Sequence, residues 1–194
     1  VPLNLRYAEE IEYVKAANEL GIPTAASVIS WDNLTTKSLI QIWPDLFLVW
    51  NDAQVEEARV HHNIPKERIR IIGAPVFDQW FEKGLGPSME REAFCRAQRL
   101  DPTKPYLLYL GSSRNMAIDE TLIVRLLRQA LDENDATINV QIALRPHGAN
   151  YDIYESIESD GIRLVPKVGT LPNTREAFQL FYDTAYYSSG IVVG

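Results

Sequence analysis

The chain of 194 residues carries 19 Lys and Arg against 26 Asp and Glu, which gives a formal net charge of −7. Its hydrophobic fraction of 46% is typical of a globular protein and excludes a disordered chain. The acidic balance argues against nucleic acid as the main partner, because binding to phosphates needs a basic face. The single cysteine, Cys95, excludes an internal disulfide and a cysteine-based zinc site, and it favours the cytosol.

The first hundred residues predict alternating helices and strands. Apolar side chains recur at every third position over residues 5–20, which predicts an amphipathic helix. Further patterns predict strands over 22–29, 46–50 and 68–72, and a helix over 53–62. Asn51 or Asp52 would cap this second helix. His61 and His62 would lie in its last turn, where a charged imidazolium suits the helix dipole.

The same alternation returns in the second half of the chain. The patterns predict helices over 89–99, 119–131 and 174–187, and strands over 105–110, 139–144, 162–165 and 191–193. Strands that alternate with long helices indicate an α/β protein with parallel sheets joined by crossovers. The Gly- and Pro-rich stretches 83–88 and 101–105 are the best breaks, and we expect a domain boundary near residue 100. The domains would then be residues 1–100 and 101–194, each too small for a complete doubly wound fold.

The first candidate site follows the strand at 105–110 and consists of Gly111, Ser112, Ser113 and Arg114. Ligands bind beyond the carboxyl ends of strands in open parallel sheets, and backbone N–H groups with two hydroxyls there could hold a phosphate. The alternative is a flexible turn between strand and helix. Two acidic residues at the start of the next helix, Asp119 and Glu120, would also oppose a bound anion.

The second candidate site is Arg145-Pro146-His147, at the end of the strand over 139–144. Arginine can grip a phosphate with two N–H groups, and histidine can donate or accept a proton near neutral pH. The alternative is a surface loop in which Arg145 pairs with a nearby carboxylate.

The third candidate site comes after the strand over 22–29. Trp31 could stack against a ligand, Asp32 could act as a general base, and Asn33 could donate a hydrogen bond to an acceptor hydroxyl. In the alternative interpretation, Asp32 or Asn33 only caps a short helix and Trp31 packs against it. The sequence has no Walker loop, no GxGxxG, no GxSxG and no metal-ligand cluster, so we expect neither a bound metal nor a cofactor.

Four short motifs in this order resemble one group of proteins. They are GAPVFDQW at 73–80, PYLLYLGSS at 105–113, ALRPHGAN at 143–150 and SSGIVVG at 188–194. Together they are similar to the B-type glycosyltransferase fold (GT-B), in the branch that holds CDP-glycerol glycerophosphotransferases and UDP-N-acetylglucosamine 2-epimerases. The resemblance implies two Rossmann-like halves, both incomplete in this chain: an acceptor-side domain first and a nucleotide-donor domain second.

The resemblance also implies roles for the candidate residues. Ser112 and Ser113 would approach the donor diphosphate, Arg145 and His147 would contact the phosphate or leaving group, and residues 31–33 would face the acceptor. The implied activity transfers a glycosyl or glycerophosphate group from a nucleotide-diphosphate donor to a hydroxyl of a polyol or sugar acceptor, in the synthesis of surface polysaccharide or a teichoic-acid-like polymer. An isomerase of the 2-epimerase type and a non-catalytic module of the same fold are the alternatives.

Two further expectations concern location and completeness. Such an enzyme would be cytoplasmic, and association with the inner face of the membrane would depend on regions outside this chain. Val1 and Gly194 are unusual ends, because the last residues read as a buried strand that nothing follows. We therefore expect a fragment of a two-domain protein about twice as long.

Overall fold

The computed structural model describes residues 2–3, 8–37, 39–137, 139–166 and 174–194. The chain divides into two compact units, Val1–Leu85 and Gly86–Gly194. The division falls in the first of the two predicted breaks rather than near residue 100. The reason is that helix α3, Arg91–Ala97, belongs to the second unit, where its Phe94 and Cys95 share a core cluster with Tyr106 and Ala143.

The first unit is a parallel sheet with helices between its strands. Its elements are β1 Pro2–Leu3, α1 Ala8–Glu19, β2 Ala25–Val28, β3 Leu46–Val49, α2 Asp52–His62 and β4 Ile69–Ile71. The four strands lie in chain order, β1-β2-β3-β4, and every pairing is parallel. Phe47 and Val49 are fully buried at the centre of the core.

Local chemistry explains where the predicted elements of the first unit begin and end. Asn51 caps α2, since its side chain accepts a hydrogen bond from the backbone N–H of Gln54 at 3.0 Å. The helix ends at Asn63, which adopts the left-handed conformation with φ of 54°. The segment Pro75–Phe81, within the GAPVFDQW motif, forms a 3-10 helix rather than an α-helix.

The second unit is also a parallel sheet. Its elements after α3 are β5 Tyr106–Leu110, α4 Thr121–Asp132, β6 Gln141–Arg145, α5 Tyr151–Tyr154, β7 Ile162–Leu164, α6 Arg175–Tyr186 and β8 Gly190–Val193. Short 3-10 helices flank α5, at Gly148–Asn150 and Glu155–Ile157. The strand order is β7-β6-β5-β8, with every pairing parallel. The predicted α/β class with two parallel sheets is therefore confirmed.

Each face of the second sheet has its own core. One face joins Tyr109, Ile142 and Leu144 to residues of α4 and α5, and the other joins Tyr106 and Ala143 to α3 and α6. Because side chains alternate along a strand, Arg145 shares a face with Ala143. The sheet extends to Arg145, which was predicted to lie just after the strand.

Candidate functional site

The strand order of the second sheet points to the site. The chain moves from β5 to β6 and β7, and then returns to the other side of β5 as β8. Such a reversal opens a crevice at the carboxyl ends of the two central strands, and ligands of open α/β sheets bind there. The reversal lies between β5 and β8, so the crevice is bordered by the loop that begins at Gly111.

The loop after β5 is held by hydrogen bonds on both sides of Ser112. The backbone N–H of Ser112 donates to Oε2 of Glu120 at 2.7 Å, and its carbonyl accepts from Nδ2 of Asn150 at 3.0 Å. Glu120 is 2% exposed and Asn150 is fully buried. The Ser112 N–H that could have bound a phosphate is therefore occupied by a carboxylate.

Glu120 also organises the aromatic residues below the loop. The hydroxyl of Tyr154 donates to its Oε2 at 2.7 Å. Burial, followed by the hydrogen bond to Glu120, raises the pKa of Tyr154, and burial and the same carboxylate raise the pKa of Tyr109. A Cβ on Gly194 would overlap Oε1 of Glu120, so the backbone directly after β8 approaches the carboxylate as only glycine can.

Arg114 is also engaged within the second unit. Its Nε donates to Oδ1 of Asn150 at 3.1 Å, and its Nη2 lies 3.3 Å from Oδ1 of Asp152. Asn150 thus joins two predicted site loops, because its own N–H donates to the carbonyl of His147 at 2.8 Å. Ser113, next in the loop, donates no hydrogen bond to the part of the chain that the structure describes.

Arg145 differs from Arg114, since no carboxylate of the described residues forms an ion pair with its guanidinium. It is 9% exposed, its guanidinium lies 4.5 Å from the centroid of the Phe181 ring, and its Nη1 is buried without a hydrogen-bond partner among the described residues. Burial lowers the pKa of its guanidinium. The predicted alternative, a surface arginine paired with a carboxylate, does not match this position.

The structure thus brings six predicted residues to one edge of the second sheet: Gly111, Ser112, Ser113, Arg114, Arg145 and His147. The backbone N–H of Gly111 donates to the carbonyl of Arg145 at 2.9 Å, which links the two loops directly. Sequence reasoning missed Asn150 and Tyr154 and considered Glu120 only as a charge opposed to an anion. A glutamate directly before a helix is an unusual capping residue, and this was the one available signal for its role.

The third predicted site lies in the first unit, in the turn after β2. Asp32 accepts hydrogen bonds from Ser30 Oγ at 2.5 Å and Thr36 Oγ1 at 3.2 Å, and pairs with Lys37 Nζ at 2.9 Å. The Ser30 bond is the largest cause that lowers the pKa of Asp32. A carboxylate stabilised in this way is a weaker base.

The neighbours of Asp32 have different environments. Asn33 is buried, and its Oδ1 accepts from the N–H groups of Ile29 at 3.0 Å and Ser30 at 2.8 Å, so it shapes the turn. Trp31 is 73% exposed, so it does not pack against a helix and presents its ring to solvent.

His62 supports the same region of the first unit. It is buried, its Nδ1 accepts from the N–H of Ile40 at 3.1 Å, and its Nε2 lies 2.9 Å from the carbonyl oxygen of Leu34. An acceptor Nδ1 and a donor Nε2 define a neutral imidazole. The predicted charged imidazolium at the end of α2 is therefore wrong for His62.

No group of three or more His, Cys, Asp or Glu residues in the described ranges could hold a metal ion. No described helix is both long enough and apolar enough to cross a membrane.

Comparison with known proteins shows the fold. No family model matches the chain, and no curated protein matches it by sequence. Among solved structures, that of S. aureus MnaA with UDP matches 92% of this chain with a TM-score of 0.59 and 14% identity. The match covers 47% of the MnaA chain, so this chain spans about half the length of that protein. The two incomplete Rossmann-like halves predicted from the sequence thus match a known α/β fold of the GT-B-like kind.

Proposed function

We propose that the second unit binds the nucleotide diphosphate of an activated donor, and that the protein transfers a glycosyl or glycerophosphate group from it to a hydroxyl acceptor. The observation that carries this proposal is the reversal of strand order between β5 and β8. The strands of the first sheet follow one another without such a reversal. The likeness to MnaA, whose structure contains UDP, supports a nucleotide ligand for this fold.

In this proposal the donor is activated by position and charge. Arg145 and His147 stabilise the negative charge that develops on the departing nucleotide phosphate. Ser113 offers its N–H and hydroxyl, whereas Ser112 mainly fixes the loop because Glu120 and Asn150 occupy its backbone. Arg114 reaches the phosphates only if it leaves Asp152, which is an exposed and therefore weak ion pair.

The acceptor side is proposed to involve the turn at residues 31–33. Exposed Trp31 offers a ring against which a sugar or polyol can stack. Asp32 would accept the proton of the acceptor hydroxyl, although its lowered pKa makes it a weak base near neutral pH. Asn33 would act by holding the turn.

An isomerase of the 2-epimerase type, acting on a UDP-sugar, is the second candidate. Such an enzyme needs carboxylates for proton transfer, and Glu120 adds a buried carboxylate at the proposed donor edge. Its hydrogen bonds from Ser112 and Tyr154 favour a structural role instead, and so we place the transferase first. A non-catalytic module of this fold would bind the nucleotide and show neither reaction.

Calorimetric titration of the protein with UDP and CDP tests nucleotide binding. We expect binding that weakens at least tenfold in Arg145→Ala, which is about 1.4 kcal/mol or more. Exposed Arg125 on α4 provides the matched control, and Arg125→Ala should bind as the parent does. Failure of both nucleotides to bind would refute the proposal, and equal binding by Arg145→Ala would remove Arg145 from the site.

Product analysis separates the two reactions. With a UDP-sugar, a transferase releases UDP in amounts that depend on an added polyol or sugar acceptor. An epimerase converts the sugar at C2 without any acceptor. Epimerisation without acceptor would overturn the transferase proposal in favour of the second candidate.

A further inference from the structure

Three buried polar atoms of the second unit have no hydrogen-bond partner among the residues described: Nη1 of Arg145 and the hydroxyl oxygens of Tyr151 and Tyr109. Tyr109 lies beside the Glu120 carboxylate, whereas the other two flank one short connection. Arg145 ends β6 and Tyr151 begins α5, with only residues 146–150 between them. Buried polar groups are nearly always paired, so two such groups on one short connection indicate a missing partner.

The guanidinium of Arg145 is buried and forms no ion pair with a described residue. No carboxylate in the described ranges lies within ion-pair distance of it. Glu158, whose charge influences Tyr151, is already paired with Arg99 at 2.6 Å. The Phe181 ring offsets part of the desolvation cost by a cation–π contact, but a buried charge without an ionic partner still destabilises the folded protein.

We propose that Arg145 and Tyr151 together bind one phosphate oxyanion, so that the missing partner is supplied by the ligand. This inference rests on the proposed function, in which the oxyanion belongs to the donor diphosphate. The inference adds Tyr151, which has no role in the candidate sites described above. It also predicts that Arg145 and Tyr151 contact the phosphate of the ligand rather than its nucleoside.

The guanidinium of Arg145 and the hydroxyl of Tyr151 together favour an anionic ligand. A guanidinium has N–H donors and no acceptor, and a phosphate oxygen accepts from several donors at once. Burial raises the pKa of Tyr151 to about 12, so its hydroxyl remains a donor at neutral pH. Both atoms are covered in this structure, so the proposal requires a neighbouring side chain to move aside when the anion binds.

The test compares three ligands with three variants by calorimetry. The ligands are UDP, uridine and inorganic pyrophosphate, and the variants are Tyr151→Phe, Arg145→Met and the control Tyr186→Phe, which changes an exposed tyrosine. We expect Tyr151→Phe to weaken UDP and pyrophosphate about tenfold, the loss of one hydrogen bond to a charged group, and to leave uridine unchanged. Tyr186→Phe should bind all three ligands as the parent does.

Thermal unfolding of Arg145→Met distinguishes a ligand-binding role of Arg145 from a purely structural one. Methionine keeps the volume and removes the uncompensated charge, so the melting temperature should stay the same or rise while UDP binding falls at least tenfold. A lower melting temperature would show that the arginine has a partner within the protein and would overturn the inference.

The binding outcomes separate the inference from the proposed function. If UDP binds the parent and Tyr151→Phe equally, the oxyanion pair is wrong and the nucleotide proposal stands. If pyrophosphate binds the parent but UDP does not, and Tyr151→Phe and Arg145→Met weaken the binding of pyrophosphate, the pair is right and the nucleotide proposal is wrong. If neither UDP nor pyrophosphate binds the parent protein, both are refuted.

Discussion

Removal of the Tyr154 hydroxyl should loosen the loop that carries Ser112. This hydroxyl donates to Glu120 at 2.7 Å, both residues are buried, and the same carboxylate oxygen holds the N–H of Ser112. A hydrogen bond to a charged group contributes about 1.5–3 kcal/mol to stability. We therefore expect Tyr154→Phe to lower the free energy of unfolding of the second unit by that amount.

A double-mutant cycle isolates the pair. Glu120→Ala leaves two donors unpaired, Ser112 N–H and Tyr154 O–H, and should cost about 3–5 kcal/mol. In Glu120→Ala, the further change Tyr154→Phe should cost little, because the hydroxyl has already lost its acceptor. The coupling energy between the two sites should then be about 1.5–3 kcal/mol.

The positions of the tryptophans determine which spectroscopic probe reports on the second unit. All four, Trp31, Trp43, Trp50 and Trp80, lie in the first unit, so their fluorescence during urea unfolding does not follow the second unit. Hydrogen exchange of the Ser112 amide follows it instead, and far-UV circular dichroism follows the two units together. The exchange of this amide should accelerate in both variants. A coupling energy below about 0.5 kcal/mol, or unchanged protection of Ser112, would refute the reasoning.

Three further outcomes are expected. Gly194→Ala should lower the melting temperature, because its Cβ would overlap a buried carboxylate, whereas Gly86→Ala, with open space around it, should not. His62→Ala should accelerate hydrogen exchange at the Ile40 amide, which donates to its ring; equal exchange would contradict the assigned hydrogen bond. Because the pKa of Asp32 is lowered, its carboxylate should stabilise the folded state above about pH 4, and this stabilisation should be lost as the pH falls through the folded-state pKa. Asp32→Asn should remove this acid step from tryptophan fluorescence.

The class of fold could be predicted because its signals are local. The strand over Tyr106–Leu110 and the helix over Arg175–Tyr186 match the predicted 105–110 and 174–187 almost residue for residue, since apolar periodicity and turn residues lie within each segment. The strand order could not be predicted, because it depends on which edge of the sheet a returning strand joins. The division after Leu85 could not be derived from the sequence for a similar reason: the residues against which α3 packs are distant in sequence.

The candidate site shows the same limit. Arg145 and His147 could be chosen as candidates because they lie at and just after the end of a buried strand, a position that the sequence reveals. The contacts of Asn150 with Ser112 and Arg114 join residues 36 to 38 positions apart, and no spacing rule predicts them. His62 is similar, since the backbone atoms that fix its neutral state belong to a loop more than twenty residues away.

The contrast between two parts of the second unit is the strongest reason to look for a ligand at Arg145. Around Ser112, the buried polar groups of Glu120 and Asn150 are paired, and such a network rigidifies the loop and contributes to the stability of the protein alone. Along the same sheet, Nη1 of buried Arg145 and the hydroxyl of half-buried Tyr151 have no such pairing in the described chain. The hydroxyl of Tyr109, beside Glu120, is also unpaired there but carries no charge. An unpaired guanidinium has a larger desolvation cost than a hydroxyl, and the proposed oxyanion would offset that cost.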